Sequence, residues 1–600
     1  MFMKHFSNQE IADIFYELAE MTEILLPAKD RAGLFRVIAF QKAARSIEDS
    51  AQGLYEIYKV GGRRALDEIP SIGAGVAERI EQLFKFGRIK EYENLRKKIP
   101  HGVLEIMQIP GIGPKIAKIL YKKLKIKNIK DLERAAKKGL IQKLPRFGIT
   151  SEQNILESIE SVRRRVAGKR MLIAEAEQIA LPILESLKNC KDLEQFEVVG
   201  SLRRRKETIG DVDFAVVSRY PQKVISYLKS QPFVRRVVAS GEARCSLILK
   251  NEIRSDIEIV TPRQWGSLLQ HLTGSKEHNI HLRTIAEKKG LSLSEYGIKI
   301  ISKLKTRSSK LRTFSNEKDF YNYLKMDWIP PELREDQGEI EAALKHKLPD
   351  LIELKDIRGD LHVHSRWSDG LLTISEIANE AKKRGYEYIC IADHGKALGI
   401  ARGLAVDRIK KQLKEIEKLN HGVIASQGRG NPYIFSGSEL SILSDGSLDF
   451  SNKILAELDF VTASIHSGFR QGKQAMTKRI IKAIKNPNID LIGHPSGRLI
   501  GMREGFEVDW VDIFKACRDF DTALEINASP HRLDLRDVLA REAVYKYNVK
   551  IAINTDAHAI HHFDYMKYGV DVARRAWLEK KNVLNTWSGE KLENWLKNKK

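Results

Sequence analysis

The chain has 600 residues and a formal charge of +23, from 102 Lys plus Arg against 79 Asp plus Glu. At roughly 150 residues per domain, about four cores are expected, and the positive balance favours a polyanionic partner such as nucleic acid or an anionic membrane surface. The absence of any run of 18 apolar residues argues against a membrane-spanning helix, and the start "MFMKHFSNQEIADIF" lacks the apolar stretch of an export signal. Cys190, Cys245, Cys390 and Cys517 are scattered without a C-x-x-C pair. The reading is therefore a protein of the reducing cytoplasm.

From residue 8 to about 165 the apolar spacing is helical and contains a repeat. "IPSIGAGVAERIEQL" (69–83) and "IPGIGPKIAKILYKK" (109–123) share Pro-x-Ile-Gly-x-x-x-Ala before an amphipathic helix, and "LPRFGITSEQNILESI" (144–159) is a weaker third copy. Glycines before a helix permit a tight turn and leave N–H groups free for a phosphate oxygen. Residues 101–170 carry 17 basic and 6 acidic side chains. Together these features predict sequence-independent contacts to a DNA backbone from Gly73, Gly75, Gly111, Gly113 and Lys115. The copies resemble helix-hairpin-helix motifs, with Ser71 replacing the first glycine of the first copy.

Residues 170 to about 325 alternate strand and helix. Here "VVGSLRRRKETIGDVDFAVVS" (198–218) sets Asp211 and Asp213 two apart in what reads as a buried strand, side by side on one face. Two neighbouring carboxylates either push one pKa up or are held together by a cation. Gly200 and Ser201 supply flexible backbone and a hydroxyl, and "RRRK" supplies positive charge. The set suits a nucleoside triphosphate with Mg²⁺, and "IRSDIEIV" (253–260) offers a third acid, Asp256, on another strand.

After "PELREDQGEIEAALKHKLPDLIELKDIRG" (331–359), read as an acidic linker, the rhythm becomes strand then helix. Seven apolar runs end in polar tips: "DLHVH", "YICIADH", "YIFSGSE", "FVTASIH", "LIGHP", "ALEINAS" and "IAINTDAH". In a β/α barrel such tips meet at one mouth. There they would gather His362, His364, Asp369, His394, Glu439, His466, His494, Asp556 and His558, a mixed imidazole and carboxylate set suited to zinc, manganese or iron.

"GSLRRRKETIGDVD", "RSDIEIV" and "LTGSKEHN" followed by "LSEYG" resemble, in order and spacing, segments of the family X DNA polymerases, the family of DNA polymerase beta. The resemblance implies that Asp211, Asp213 and Asp256 bind two metal ions, with Asp256 acting on the primer 3′ hydroxyl. It also implies that Gly200, Ser201, Arg204, Gly210 and Arg254 serve the triphosphate, and that Thr273, Gly274 and Asn279 lie beside sugar and base. His271-Leu272 stand where the family has an aromatic pair, and Glu258 where it commonly has arginine. Arg79 stands where the family's lyase domain has its Schiff-base lysine. A guanidinium cannot form that adduct, so lyase activity is expected to be weak or absent. Arg36 and Lys42 are the expected grip on a 5′ phosphate.

The nine barrel residues are similar, position for position, to the ligands of the polymerase and histidinol phosphatase (PHP) domain. That likeness implies a site of three ions (Mn²⁺, Zn²⁺ or Fe²⁺) that hydrolyses phosphoesters, with Arg402 and Arg498 as candidate phosphate ligands.

The whole resembles the bacterial and archaeal family X polymerases that end in a PHP domain. The expected fold is multidomain: an all-α helix-hairpin-helix N-terminal region, an α+β polymerase beta-like palm and thumb, and a C-terminal (β/α)7 PHP barrel. Its parts are 1–95 (helical 8-kDa-like), 96–168 (helix-hairpin-helix, fingers-like), 169–262 (palm), 263–328 (thumb-like, nucleotide-binding), 329–358 (linker) and 359–600 (PHP). The expected function is filling of short gaps from dNTPs with Mg²⁺ or Mn²⁺ in DNA repair, including base excision repair, and 3′–5′ exonuclease action at the PHP site. Abasic-site endonuclease and 3′-phosphodiesterase action extend it. Expected partners are gapped or primer-template DNA with a 5′ phosphate, for a monomeric protein with no membrane association. Two rivals remain: a PHP nuclease whose degenerate polymerase core only holds DNA, and a small-molecule phosphatase on a DNA-binding scaffold.

Overall fold

In the computed structural model the described residues are 6, 8–27, 30–48, 54–69, 72–99, 101–108, 112, 114–144, 147–148, 152, 155–156, 170–300, 311–425 and 431–599. The chain divides into two compact units, 1–169 and 170–600.

Among the described residues the first unit is helical, with helices at Asn8–Leu25, Arg31–Glu48, Leu54–Asp67, Ala74–Phe86, Lys90–Lys98, His101–Glu105, Pro114–Leu124 and Ile129–Lys137. The first helix carries apolar residues at helical spacing and serves two cores. Ile11, Phe15 and Leu18 pack with Phe40, Ile80 and Phe84. One turn on, Met21 and Ile24 join Ile112, Leu120 and Leu132. Tyr92 and Leu95 pack against both cores, so the two expected N-terminal parts share an apolar seam.

Gly73 is the N-cap of helix Ala74–Phe86, extended at φ −85°, with no side-chain cap. Its carbonyl accepts from the N–H groups of Val76 and Ala77. A Cβ at Gly73 would meet nothing within 4 Å, whereas one at Gly75 would approach Arg79 Nη1 at 3.4 Å. Gly111 and Gly113 lie outside the described residues, as do most of the third repeat and the side chain of Lys115.

The second unit opens with a small antiparallel pair, β1 (Met171–Leu172) and β3 (Thr208–Ile209). A five-stranded sheet follows, from β2 (Gln195–Val198), β4 (Phe214–Val217), β5 (Val234–Ser240), β6 (Arg244–Leu249) and β7 (Arg254–Val260), in the order β2-β4-β7-β6-β5. Only β4 and β7 run parallel in it. β4 is buried along its whole length, and helix Trp265–Thr273 covers it through Trp265, Leu268 and Leu269. β8 (Leu291–Ser294) and β9 (Gly297–Ile300) form a hairpin.

The C-terminal part is a parallel sheet of seven strands: β10 (Gly359–Val363), β11 (Tyr388–Ile391), β12 (Tyr433–Ser441), β13 (Phe460–Ser464), β14 (Leu491–Ile492), β15 (Ala523–Asn527) and β16 (Ile551–Asn554). They lie in sequence order, and a parallel bridge from Val363 to Ala557 brings the first edge to the last. With helices outside and side chains inside, the strands are buried on both faces, which accounts for runs such as "YICI" and "IAIN". This is the expected (β/α)7 arrangement, and each of the seven tips read from the sequence follows or ends a strand.

Residues 329–358 are not a loose linker. Ile329, Leu333, Ile340 and Ala343 are buried with Phe320, Tyr321 and Trp577. Arg334, Glu335 and Glu339 are buried while charges such as Lys347 and Glu353 stay exposed, and the buried ones have internal partners: Arg334 Nη1 donates to Glu317 Oε1 at 2.6 Å, and His278 Nδ1 donates to Glu339 Oε1 at 2.6 Å. Burial works against both, but Arg334 and Arg203 outweigh it and hold the Glu317 carboxyl down at about 2.

Candidate active sites

The nine barrel residues converge as the tips predict. His362 lies on β10 and His364 just past it; Glu439 is on β12; His394, His466, His494, Asp556 and His558 follow β11, β13, β14 and β16 by two to four residues. Asp369 closes the set from the loop after β10. His364, Asp369, His394 and His558 form one group whose ligand atoms lie within 4.8 Å of one another, His362, His364 and Glu439 a second, and His394, Glu439 and His466 a third. The three groups overlap at one mouth, where their atoms could hold metal ions.

Glu439 is the carboxylate that two of the groups share, as His364 and His394 are the shared imidazoles. It is 1% exposed, and its oxygens lie 2.8 Å from His394 Nδ1, 2.9 Å from His494 Nε2, 3.1 Å from His466 Nε2 and 3.5 Å from His362 Nε2. Burial alone would raise its pKa, but His466, His362 and His394 outweigh that and hold its carboxyl well below the usual range. Asp556 sits 3.1 Å from His364 Nε2 and Asp369 3.4 Å from His558 Nε2.

The imidazole nitrogens test whether cations fit. His362 Nδ1 donates to Glu525 Oε1 at 2.8 Å, so in the neutral ring Nε2 would carry the lone pair; burial works against a charged ring, but Glu525, Glu439 and Asp556 outweigh it and favour a proton there when no cation is bound. That Nε2 is buried without a hydrogen-bond partner, as are both ring nitrogens of His364 and Nδ1 of His394. Burial, with His558 and His394 beside it, pushes His364 down to about 3, so the ring is neutral and its lone pair available. An unprotonated imidazole nitrogen and a buried carboxylate facing it repel each other unless a proton or a cation stands between them, and divalent ions can take the place of the protons that His362 and His394 otherwise hold. The donor set therefore fits divalent ions. His494 and Asp556 also hold positive φ, 28° and 54°, backbone that a non-glycine residue adopts at some cost and that recurs at ligand sites.

The sequence reading missed the shell that orients these groups. Glu525 on β15 is fully buried; besides holding His362 it accepts from the N–H of His494 at 2.7 Å and from Asn554 Nδ2 at 3.0 Å. Ser441 Oγ is hydrogen-bonded to His466 Nδ1 at 3.0 Å. Asp393 takes Ser365, Ser368 and Gln412. The available signal was a carboxylate inside the apolar run "ALEIN". Replacing Glu525 with Gln is expected to weaken divalent-ion binding about 10- to 100-fold, since it changes the His362 tautomer without removing a ligand. Competition with a metallochromic chelator measures this.

Of the two arginines read as phosphate ligands, Arg402 donates to the carbonyl of Ser368, beside Asp369. Arg498 is engaged differently: its guanidinium pairs with Glu207 of the palm at 2.7 Å and donates to the carbonyls of Arg532 and Leu533. It is thus neither a surface arginine nor free to meet a substrate phosphate.

In the palm, β4 begins only at Phe214, so Asp211 and Asp213 lie on the extended run leading into it rather than within a strand. Asp256 is on β7 as expected. Its N–H donates to Asp213 Oδ1 at 3.0 Å, which ties the two across the parallel β4·β7 pair. Burial first, then the charge of Asp211, pushes Asp213 up to about 7. Of the two outcomes open for a pair of neighbouring acids, the protein alone shows the raised pKa. Arg254 Nε donates to Asp256 Oδ1 at 3.0 Å. These acids do not reach the 4.8 Å closeness of the barrel groups.

The "GS" stretch is not loose: Gly200 opens a single helical turn, Gly200–Arg203, with φ 66°. A Cβ there would sit 3.6 Å from Asp213 Oδ2. Gly274, at φ 71°, allows Arg204 to pass, for a Cβ there would lie 3.0 Å from Arg204 Nη1. Arg204 donates to the carbonyl of Thr273, and Asn279 is bonded to Gln270 and to the carbonyl of His271. Gly210 lies against Arg170, where a Cβ would be 3.3 Å from Nη1. Ser201 is half-buried in the turn opened by Gly200. Glu258 is paired by Arg244 at 2.8 Å, yet burial outweighs that partner and pushes its carboxyl up. In the first unit Arg79 pairs with Glu91, with Nε at 2.7 Å, and Arg36 lies 3.6 Å from the same carboxylate.

Over 566 residues the chain is 39% identical to a protein of Bacillus subtilis (strain 168) described as "DNA polymerase/3'-5' exonuclease PolX", covering 94% of this chain and 95% of that one. The chain belongs to the PolX family. Family descriptions match part by part: a helix-hairpin-helix domain at 6–89, a SAM-like helix-hairpin-helix tandem at 103–161, the DNA polymerase beta thumb at 268–335 and the PHP domain at 360–529. Other relatives match only part of the chain. A "probable phosphatase" of Thermoanaerobacter sp. (strain X514) is 31% identical over 253 residues, 40% of this chain and 95% of that one. Another, of Caldicellulosiruptor saccharolyticus, is 32% identical over 196 residues, 31% of this chain and 73% of that one.

Proposed function

We propose that this PolX-family chain fills short DNA gaps from dNTPs with its palm and trims 3′ ends with its barrel, in DNA repair. The observation that carries the reading is the pairing, in one chain 39% identical to the Bacillus subtilis PolX, of a palm bearing Asp211, Asp213 and Asp256 with a barrel mouth where seven histidines and acids form close ligand groups and His494 and Asp556 stand beside them.

In the barrel, His362, His364, Asp369, His394, Glu439, His466, His494, Asp556 and His558 would hold three divalent ions, Mn²⁺, Zn²⁺ or Fe²⁺. When bound, such ions supply positive charge to a phosphodiester and lower the pKa of attacking water. The chain's own contribution is orientation: Glu525 sets the His362 tautomer, and the strand ends hold nine side chains before the reaction begins. In the palm, Asp211, Asp213 and Asp256 would hold Mg²⁺ or Mn²⁺, and Asp256 would take the proton of the primer 3′ hydroxyl. Gly200, Ser201, Arg204, Gly210 and Arg254 would position the triphosphate, with Thr273, Gly274 and Asn279 beside sugar and base. Positioning and charge stabilisation carry most of phosphoryl transfer. Gly73 and Gly75, with Gly111, Gly113 and Lys115 of the second repeat, would lie along the DNA backbone, and Arg36 and Lys42 at its 5′ phosphate.

Gapped, end-labelled DNA with dNTPs and Mg²⁺ or Mn²⁺ tests the reading. The Asp211→Ala/Asp213→Ala variant should lose extension and keep trimming; the His362→Ala/His364→Ala variant should do the reverse. Wild-type protein that trims but never extends would favour a nuclease with a degenerate core.

A further inference from the structure

The turn after Gly200 is held by ion pairs and hydrogen bonds to its surroundings, and Asp571, Arg498 and Arg575 are the barrel's share of them. Arg203 pairs with Glu317 at 2.9 Å, Arg205 with Glu177 at 2.7 Å and Asp571 at 2.6 Å, and Glu207 with Arg498 at 2.7 Å. Arg204 is held most fully. Its Nε donates to Glu335 Oε1 at 3.0 Å. The same oxygen accepts from Arg575 Nη1 at 3.1 Å, and that Nη1 also donates to the backbone carbonyl of Arg204 at 2.9 Å. Arg575 Nη2 is anchored in turn by Asp537 at 2.8 Å. Arg575 ends the barrel helix Met566–Arg575, and Asp537 begins the barrel helix Asp537–Tyr547. Arg575 is 7% exposed and Glu335 4%.

Such a triad does more than glue two surfaces. A guanidinium is a rigid planar fork, so fixing Nε and Nη1 fixes the direction of its remaining donors. Arg575 controls Arg204 at both ends, the main chain directly and the fork through Glu335. We propose that Arg575 is a positioning residue for the polymerase nucleotide site, so that affinity for the incoming dNTP depends on a barrel side chain outside the barrel's own metal site. This rests on the reading of Arg204 as a triphosphate-binding residue.

The test uses full-length protein in steady-state gap filling with varied dNTP, alongside 3′ trimming of single-stranded DNA and thermal melting. Arg204→Ala is expected to raise the KM for dNTP, which checks the underlying reading. Arg575→Met should raise that KM by about tenfold, since small misplacement of a substrate-orienting group costs one to two orders of magnitude. The kcat and the trimming rate should stay within about twofold. Arg575→Lys should fall between, because one ammonium can hold Glu335 but cannot reproduce the fork. Should Arg575→Met fail to fold, Glu335→Gln, which keeps the shape and loses the charge, is expected to give the same selective rise. An unchanged KM in these variants while Arg204→Ala raises it overturns the proposal, as does a joint fall of kcat, trimming and melting temperature. An unchanged KM in Arg204→Ala overturns the reading beneath it.

Discussion

Replacing Glu439 with Gln is expected to abolish 3′ trimming, by on the order of 10³ in rate, while leaving gap filling within about twofold. Glu439 belongs to two of the three close ligand groups, as His364 and His394 do, and it is the carboxylate among the three, with five imidazoles within 3.7 Å, so its loss reaches more than one group and removes the charge they share. Gln keeps the volume and one oxygen but removes the negative charge and adds N–H donors, which would point at the ring nitrogens of His362 and His394 or at a cation. The ion content of purified protein, counted by atomic emission, should fall below that of the parent. Retained ions with lost trimming would instead make Glu439 a participant in the reaction rather than a ligand. Retained trimming would remove the barrel site as the source of the exonuclease.

The legible part of the site was the part written in residue type. Histidines and acids at the ends of apolar runs stand out because imidazole and carboxylate are otherwise rare there, and the parallel barrel turns their order in the chain into an order round one mouth. What was not legible depended on partners far apart in sequence. Glu525 meets His362 across 163 residues, and nothing in "ALEIN" says whether its carboxylate holds a ligand, a cation or a backbone N–H. The segment 329–358 failed for the same reason. Its charges look solvated until Arg334 is seen against Glu317 and Glu339 against His278, pairs that only the folded chain creates. Arg498 shows the opposite error: a loop arginine near ligands reads as a phosphate grip, yet Glu207 from another layer has already taken it. Asp211 and Asp213 were placed rightly as a pair and wrongly within a strand, because "DVDFAVV" has strand composition throughout while the ladder starts at Phe214.

Asp213→Asn is expected to lose gap filling by at least about 10³ and, at the same time, to make the metal-free protein more stable at pH 8. The sign follows from its pKa, which burial and then Asp211 raise from 3.8 to about 7. Between these values the folded protein holds a proton that the unfolded chain releases. The stabilising contribution is full below pH 3.8 and is lost as pH rises through 7. At pH 8 the folded state therefore carries a buried anion beside a second anion, a cost with a ceiling of about 4 kcal/mol. Asn keeps the oxygen that accepts from the Asp256 N–H and carries no charge, so in EDTA the variant should melt a few degrees above the parent at pH 8. At pH 5, where the folded protein holds the Asp213 proton and the unfolded chain has released it, the gap should shrink to about a third, and it should close below pH 3.8. Adding Mg²⁺ or Mn²⁺ at pH 8 should raise the parent's melting temperature, because a bound cation pairs the anion, and leave the variant nearly unmoved. Equal melting at both pH values without metal would mean that Arg254, which lies beside Asp256 and opposes the shift, already neutralises the acids. The palm would then have no electrostatic vacancy for a cation, and the reading of Asp211, Asp213 and Asp256 as a metal cradle would fail on stability alone, whatever the activity of the variant.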